Sequence, residues 1–136
     1  MKRNFSLFCL LNFLAPVLLL AQNPKVDILE YEFHLKLNDE NDVIKGNAII
    51  DFQYNEDADV LELDFAAEEN GKGMIIDSIL QNGKQLKFQH SQEKLNINTS
   101  SEDEISIFYH GIPEDGLIIS ENKYGDRTFF GDNWPN

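Results

Sequence analysis

The chain has 136 residues, enough for one domain and too few for a multidomain enzyme with its own large cleft. Apolar residues make up 42% and charged residues 26%, the proportions of an ordinary globular protein, which excludes a disordered tail or a collagen-like fibre. Against 24 Asp and Glu stand 11 Lys and Arg, a formal charge of −13 that repels phosphate backbones and anionic lipid, so nucleic acid is not expected as a partner.

Lys2 and Arg3 precede an almost unbroken apolar stretch from Phe5 to Leu20, followed by Ala21 and Gln22. A cationic start, an apolar middle and a small residue before a cut are what a secretory signal peptide needs. The stretch is short for a membrane-spanning helix and is interrupted by Asn12 and Pro16, so no stable membrane anchor is expected. This divides the chain into a signal peptide over residues 1–21 and an exported domain over residues 22–136, bound for a periplasm or the cell exterior. The single cysteine, Cys9, lies inside the apolar stretch, so the exported part has no disulfide and no thiolate metal ligand, and packing alone must hold it together.

From Val26 onward the apolar residues recur with period two. Tyr31, Phe33, Leu35 and Leu37 alternate with Glu32, His34 and Lys36, which predicts a strand with one face buried. After the polar break from Asn38 to Asp42, residues Ala48, Ile50, Phe52 and Tyr54 alternate in the same way and predict its antiparallel partner. Leu61, Leu63 and Phe65 predict a further strand. The run Ile75 to Leu80 ends at Asn82-Gly83, a strong hairpin signal, with Leu86 and Phe88 on the return strand. Leu95 and Ile97, then Ile105, Ile107 and Tyr109, complete about eight strands with no amphipathic helix. Turns every 8 to 12 residues in an all-β chain predict an antiparallel β-sandwich. Glu68 to Gly73 and Ser100 to Glu104 read as loops.

Motifs for chemistry are few. H-E-x-x-H, G-x-S-x-G and a phosphate-cradling glycine loop are all missing from the sequence. His34, His90 and His110 are far apart and read as surface or strand-end residues. Asn38 to Asp42 has the oxygen-rich character of a calcium loop, but it lacks the glycine at the sixth position and has isoleucines where the bidentate Glu belongs; it reads as a hairpin turn. Glu102 to Glu104 reads as a solvated loop, and Asn98-Thr99-Ser100 matches the N-glycosylation pattern by chance.

The C-terminal stretch has a different character, with the only Trp, three other aromatics and two of the four prolines between Gly111 and Asn136. From the residues alone it reads as a loop that plugs the open end of the sandwich. Tyr31 to Leu37, Gly46 to Phe52, Tyr109 to Pro113 and above all Gly125 to Asn136 resemble the N-terminal domain of the aminopeptidase N family, the gluzincin zinc aminopeptidases. The resemblance covers essentially all of residues 22–136 and implies a saddle-shaped β-sandwich that leans on a thermolysin-like catalytic domain. The family's G-x-M-E-N strand, its H-E-x-x-H helix and its later Glu ligand have no counterpart here, so no catalytic residue and no metal ligand are assigned to this chain.

In the family a Gln or Glu just after the aromatic strand binds the free α-amine of the substrate. Matched on the shared proline, Trp134 stands at that place and Asp132 at the neighbouring polar one. The resemblance thus implies substrate binding by Asp132, whose carboxylate can accept charge-assisted hydrogen bonds from an ammonium, and by Trp134, which offers a cation–π face. A turn role for Asp132 is the equal alternative. The function implied is that of a non-catalytic N-terminal domain of an exported zinc aminopeptidase. Its partner would be a downstream catalytic domain, which would carry the zinc and bring peptide substrates. The alternative is a free-standing exported β-sandwich that binds a protein or sugar.

Overall fold

The computed structural model describes residues 25–55, 57–99, 101 and 103–131; the signal-peptide segment 1–21, Asp132 and Trp134 lie outside the described residues. These residues form strands joined by turns, with no helix among them. The strands β1 (Val26–Lys36) and β2 (Ile44–Tyr54) make the expected hairpin, in register from Val26 opposite Tyr54 to Lys36 opposite Lys45, with Leu29 inserted as a bulge. Asn38 closes the turn between them. Its Oδ1 accepts from the backbone N–H groups of Glu40 at 2.8 Å and Asn41 at 2.9 Å, and its Nδ2 donates to the Val43 carbonyl at 2.8 Å. The acidic cluster is therefore a turn in which an Asn side chain replaces missing backbone partners.

The remaining strands are β3 (Val60–Asp64), β4 (Gly73–Gln81), β5 (Lys84–Gln85), β6 (Phe88–Ser91), β7 (Lys94–Asn98), β8 (Ile105–Ile112), β9 (Leu117–Glu121) and β10 (Arg127–Gly131). They form a five-stranded sheet in the order β1-β2-β8-β4-β5, a three-stranded sheet in the order β3-β7-β6, and the separate hairpin β9–β10. All strand pairs are antiparallel. Asn82 and Gly83, at φ of 51° and 73°, make the tight turn after β4, as their sequence requires.

Two differences from the sequence reading explain the extra strands. The return strand after Gly83 splits: Lys84 and Gln85 pair with β4, then the chain crosses to the other sheet, where Phe88 to Ser91 pair with β7. Leu86 and Phe88 pack against the core during this crossing, so the apolar signal was real but belonged to two sheets. The C-terminal stretch does not plug the open end as a loop; it folds into its own hairpin, with Phe130 opposite Ile118 and both exposed.

One apolar cluster joins the two larger sheets. Ala48, Ile50, Phe52, Ile79, Ile105, Ile107 and Tyr109 come from the five-stranded sheet, and Leu61, Leu63, Leu95 and Ile97 from the three-stranded one. Two antiparallel layers facing each other across a shared core are the stable way to bury alternating strands. Tyr54 and Thr99 tie the end of β2 to the end of β7 through a 2.6 Å hydroxyl–hydroxyl hydrogen bond.

The smaller sheet does not reach across the whole of the larger one. Tyr31 lies opposite Ile50 and Phe33 opposite Ala48, so both point to the core side, yet they are 50% and 57% exposed. Val26 and Ile28, before the bulge, still pack against the core. The expectation that the Tyr31 to Leu37 face is buried is thus corrected: β1 is an edge strand, and beyond its bulge nothing among the described residues covers it.

Candidate functional site

The described residues nearest in sequence to Asp132 and Trp134 belong to the β9–β10 hairpin. Asn122 shapes its turn. The Asn122 Oδ1 accepts from the N–H groups of Tyr124 at 2.8 Å and Asp126 at 3.0 Å, while Gly125 adopts φ of 86°. Ser120 and Thr128 pair across the strands through their hydroxyls at 2.9 Å.

Arg127 fastens this hairpin to the rest of the molecule. Its guanidinium pairs with the Asp42 carboxylate and donates from Nε to the Asp39 carbonyl at 3.2 Å. The β1–β2 turn and the C-terminal hairpin, 85 residues apart in sequence, are therefore held side by side. The sequence reading did not single out Arg127. A usable signal existed, since it is the cation within the most specific segment of a strongly acidic chain.

Beside this latch lies a cavity of about 250 Å³ bounded by Asp42, Lys72 and the loop from Ile112 to Ile119. Glu114 and Asp115 in its wall also border a wider hollow of about 670 Å³ whose far side carries Asp64 and Glu93. Carboxylates gathered around open hollows attract cationic groups. Gly111 lets β8 approach β4 closely just before this loop, because a Cβ there would come within 2.1 Å of the Gly73 carbonyl oxygen.

The histidines are not brought together for catalysis. His34 pairs with Glu32 at 2.8 Å on the exposed edge strand, His110 with Asp77 at 2.8 Å, and His90 Nε2 donates to the Phe65 carbonyl at 3.0 Å. Among the described residues no three His, Cys, Asp or Glu side chains gather into a group that could hold a metal ion. The Asp103 carboxyl is held below its usual range, chiefly by the Glu104 backbone N–H and then by the Asn82 amide. This fixes a loop and is no sign of catalysis. Burial raises the Tyr109 hydroxyl above its ordinary pKa. The rings of Phe65 and Tyr109 pack edge to face with their centres 5.1 Å apart. No helix among the described residues is long and apolar enough to cross a membrane.

No protein-family model matches the chain, and no curated protein does. Solved structures do match. An M1 zinc metallopeptidase from Deinococcus radiodurans aligns with a TM-score of 0.55 and 16% identity over 68% of this chain and 21% of its own. A mutant M1 zinc metallopeptidase from the same organism, bound to a Tyr-Ser-Ala substrate, aligns with a TM-score of 0.55 and 16% identity over 72% of this chain and 22% of its own. A two-domain M1 zinc metallopeptidase mutant bound to L-arginine gives a TM-score of 0.55 at 16% identity over 74% and 22%. The chain therefore spans about a fifth of the length of these structures. It shares the fold of a part of the M1 zinc metallopeptidases, the aminopeptidase N family, in agreement with the sequence resemblance.

Proposed function

We propose that this chain is the N-terminal, saddle-like β-sandwich of an exported zinc aminopeptidase, an enzyme that removes N-terminal residues from peptides. The observation that carries this reading is the convergence of two independent likenesses: the fold shared with M1 zinc metallopeptidases and the Gly125 to Asn136 segment. The chain's own part is positional. It packs on a downstream catalytic domain that holds the zinc, which would polarise the scissile carbonyl and activate water there. The β9–β10 hairpin, latched through Arg127, leads into Asp132 and Trp134, and these line the subsite for the substrate's ammonium. The signal-peptide pattern supports export to a periplasm or the cell exterior.

The test starts with the DNA beyond the Asn136 codon. An open frame running into H-E-x-x-H and a later Glu is expected, and its purified product should release N-terminal residues from peptides and lose that activity to a chelator. A stop codon with no such frame behind it, or a product indifferent to chelation, overturns the reading. The second reading, a free-standing exported binding sandwich, draws on the exposed Ile118 and Phe130 of the hairpin, and it predicts a soluble chain with a measurable ligand.

A further inference from the structure

The strand β1 is the long free edge of the five-stranded sheet, eleven residues whose outer side pairs with no other strand among the described residues. Such an edge offers a row of backbone donors and acceptors to any matching strand, and proteins normally guard it with charge, proline or a bulge. Here the bulge sits at Leu29 and a lysine at Lys36, which leaves Glu30 to Leu35 regular and open. On the core side of this stretch Tyr31 and Phe33 stack with ring centres 5.7 Å apart. They border an apolar cleft of about 270 Å³ reaching Ile50, Leu63, Phe65 and Ile107.

The opposite face of β1 carries Glu30, Glu32, His34 and Lys36 in that order, acidic first and basic last. That order is complementary to itself when the strand is reversed. We propose that two copies of this chain pair through β1, antiparallel about Phe33, joining their five-stranded sheets into one. In this register Glu30 faces Lys36 of the second copy and Glu32 faces its His34, each pair occurring twice, while Phe33 meets Phe33 and Tyr31 meets Leu35. Centring the pair one residue earlier, on Glu32, would oppose two glutamates. Centring it on Leu35 would set His34 against Lys36. Centring it on His34 would leave Glu30 facing Asn38, outside the strand.

The contact is isologous and closes on two copies. The other edge of the sheet is shorter and interrupted: β5 has only two residues, and β4 beside it is already engaged at Met74 by Ala67 and at Ile79 by the Leu86 N–H. The charge of −13 on each copy opposes approach, but its reach is limited to about 8 Å at physiological ionic strength. This inference does not depend on the aminopeptidase reading.

The experiment is sedimentation velocity on the protein expressed from all 136 codons and purified as the host leaves it, over a range of concentrations at physiological salt. A reversible monomer–dimer equilibrium is expected, with outward-pointing β1 amides protected from hydrogen exchange only at the concentrations that favour the dimer. Phe33→Glu should leave monomer throughout. Lys36→Glu should weaken the dimer by about tenfold or more, since two attractive cross-strand pairs become repulsive. Glu30→Lys combined with Lys36→Glu should restore it. All three positions are exposed, so circular dichroism should show every variant folded. A wild-type chain that stays monomeric, a dimer that ignores Lys36→Glu, or a double variant that fails to recover would overturn the proposal.

Discussion

Phe52 and Phe33 sit on the same face of the same sheet, one strand apart, and meet opposite fates. Phe52 is 1% exposed beneath the three-stranded sheet, whereas Phe33 is 57% exposed on the flank that this sheet does not reach. Both belong to stretches of unbroken period-two alternation, Phe52 in β2 and Phe33 in β1 beyond its bulge. The difference teaches that alternation declares which face of a strand is apolar but not whether anything lies over it. Coverage depends on the width of the opposing layer, which is set by how many strands the rest of the chain supplies.

The largest expected effect exploits this contrast directly. Phe52→Ala should cost about 3–5 kcal/mol, because a large cavity opens in the shared core, while Phe33→Ala should stay within about 1 kcal/mol. Urea unfolding under conditions that keep the chain monomeric measures both. Equal losses would mean that the β1 flank is covered after all.

Gly46 marks the boundary between the two halves, lying between Leu35 on β1 and Tyr109 on β8. The Tyr109 ring occupies the space a side chain would need, with its Cζ 2.1 Å from where a Cβ would stand. Gly46→Ala should therefore destabilise by about 1–3 kcal/mol through overpacking. Most of that penalty should vanish in a Tyr109→Leu background, which lacks the clashing ring atoms, and a double-mutant cycle reads the coupling.

A smaller and more local effect is expected at the latch. Arg127→Ala should accelerate amide exchange in residues 117–131 and leave the exchange of β2 and β8 unchanged, with a global loss of about 1 kcal/mol or less, since Asp42 is half exposed. Faster exchange in β2 as well would show that the hairpin supports the core rather than hanging from it.

The smallest effect concerns pH. Tyr109 has its hydroxyl pKa raised by burial, so the folded state favours the neutral form. Its contribution is fully present below the ordinary tyrosine pKa of 10.0 and is lost as pH rises through the raised value. Stability should accordingly decline on the alkaline side of pH 10, and Tyr109→Phe should flatten that decline. An unchanged alkaline limb in Tyr109→Phe would mean that the ring is not shielded.

Much of the fold was legible because local chemistry and the fold agreed. Asn82-Gly83 demanded positive φ at both turn positions and received it, and the alternation in β2, β7 and β8 matched their buried residues. The crossing between Gln85 and Phe88 was not legible, since Leu86 and Phe88 are apolar whichever sheet they join. Pairing partners are long-range information that period does not encode. The Arg127 latch was hidden for the same reason, because its partners lie on a turn 85 residues earlier. The substrate-binding role of Asp132 and Trp134 rests on the sequence resemblance, and both lie outside the described residues.

The place of β8 in the large sheet has a consequence for time rather than for shape. It lies between β2 and β4, so the two halves of that sheet have no common hydrogen bonds until Ile105 to Ile112 arrives, with Ile44 opposite Gly111 and Gln81 opposite Ile105. A chain emerging from its amino end holds a hairpin and a fragment of sheet with their inner edges open, and joins them late, through contacts distant in sequence. Folding should be slow for a domain of this size, and its most vulnerable moment is the one just before the eighth strand slides in.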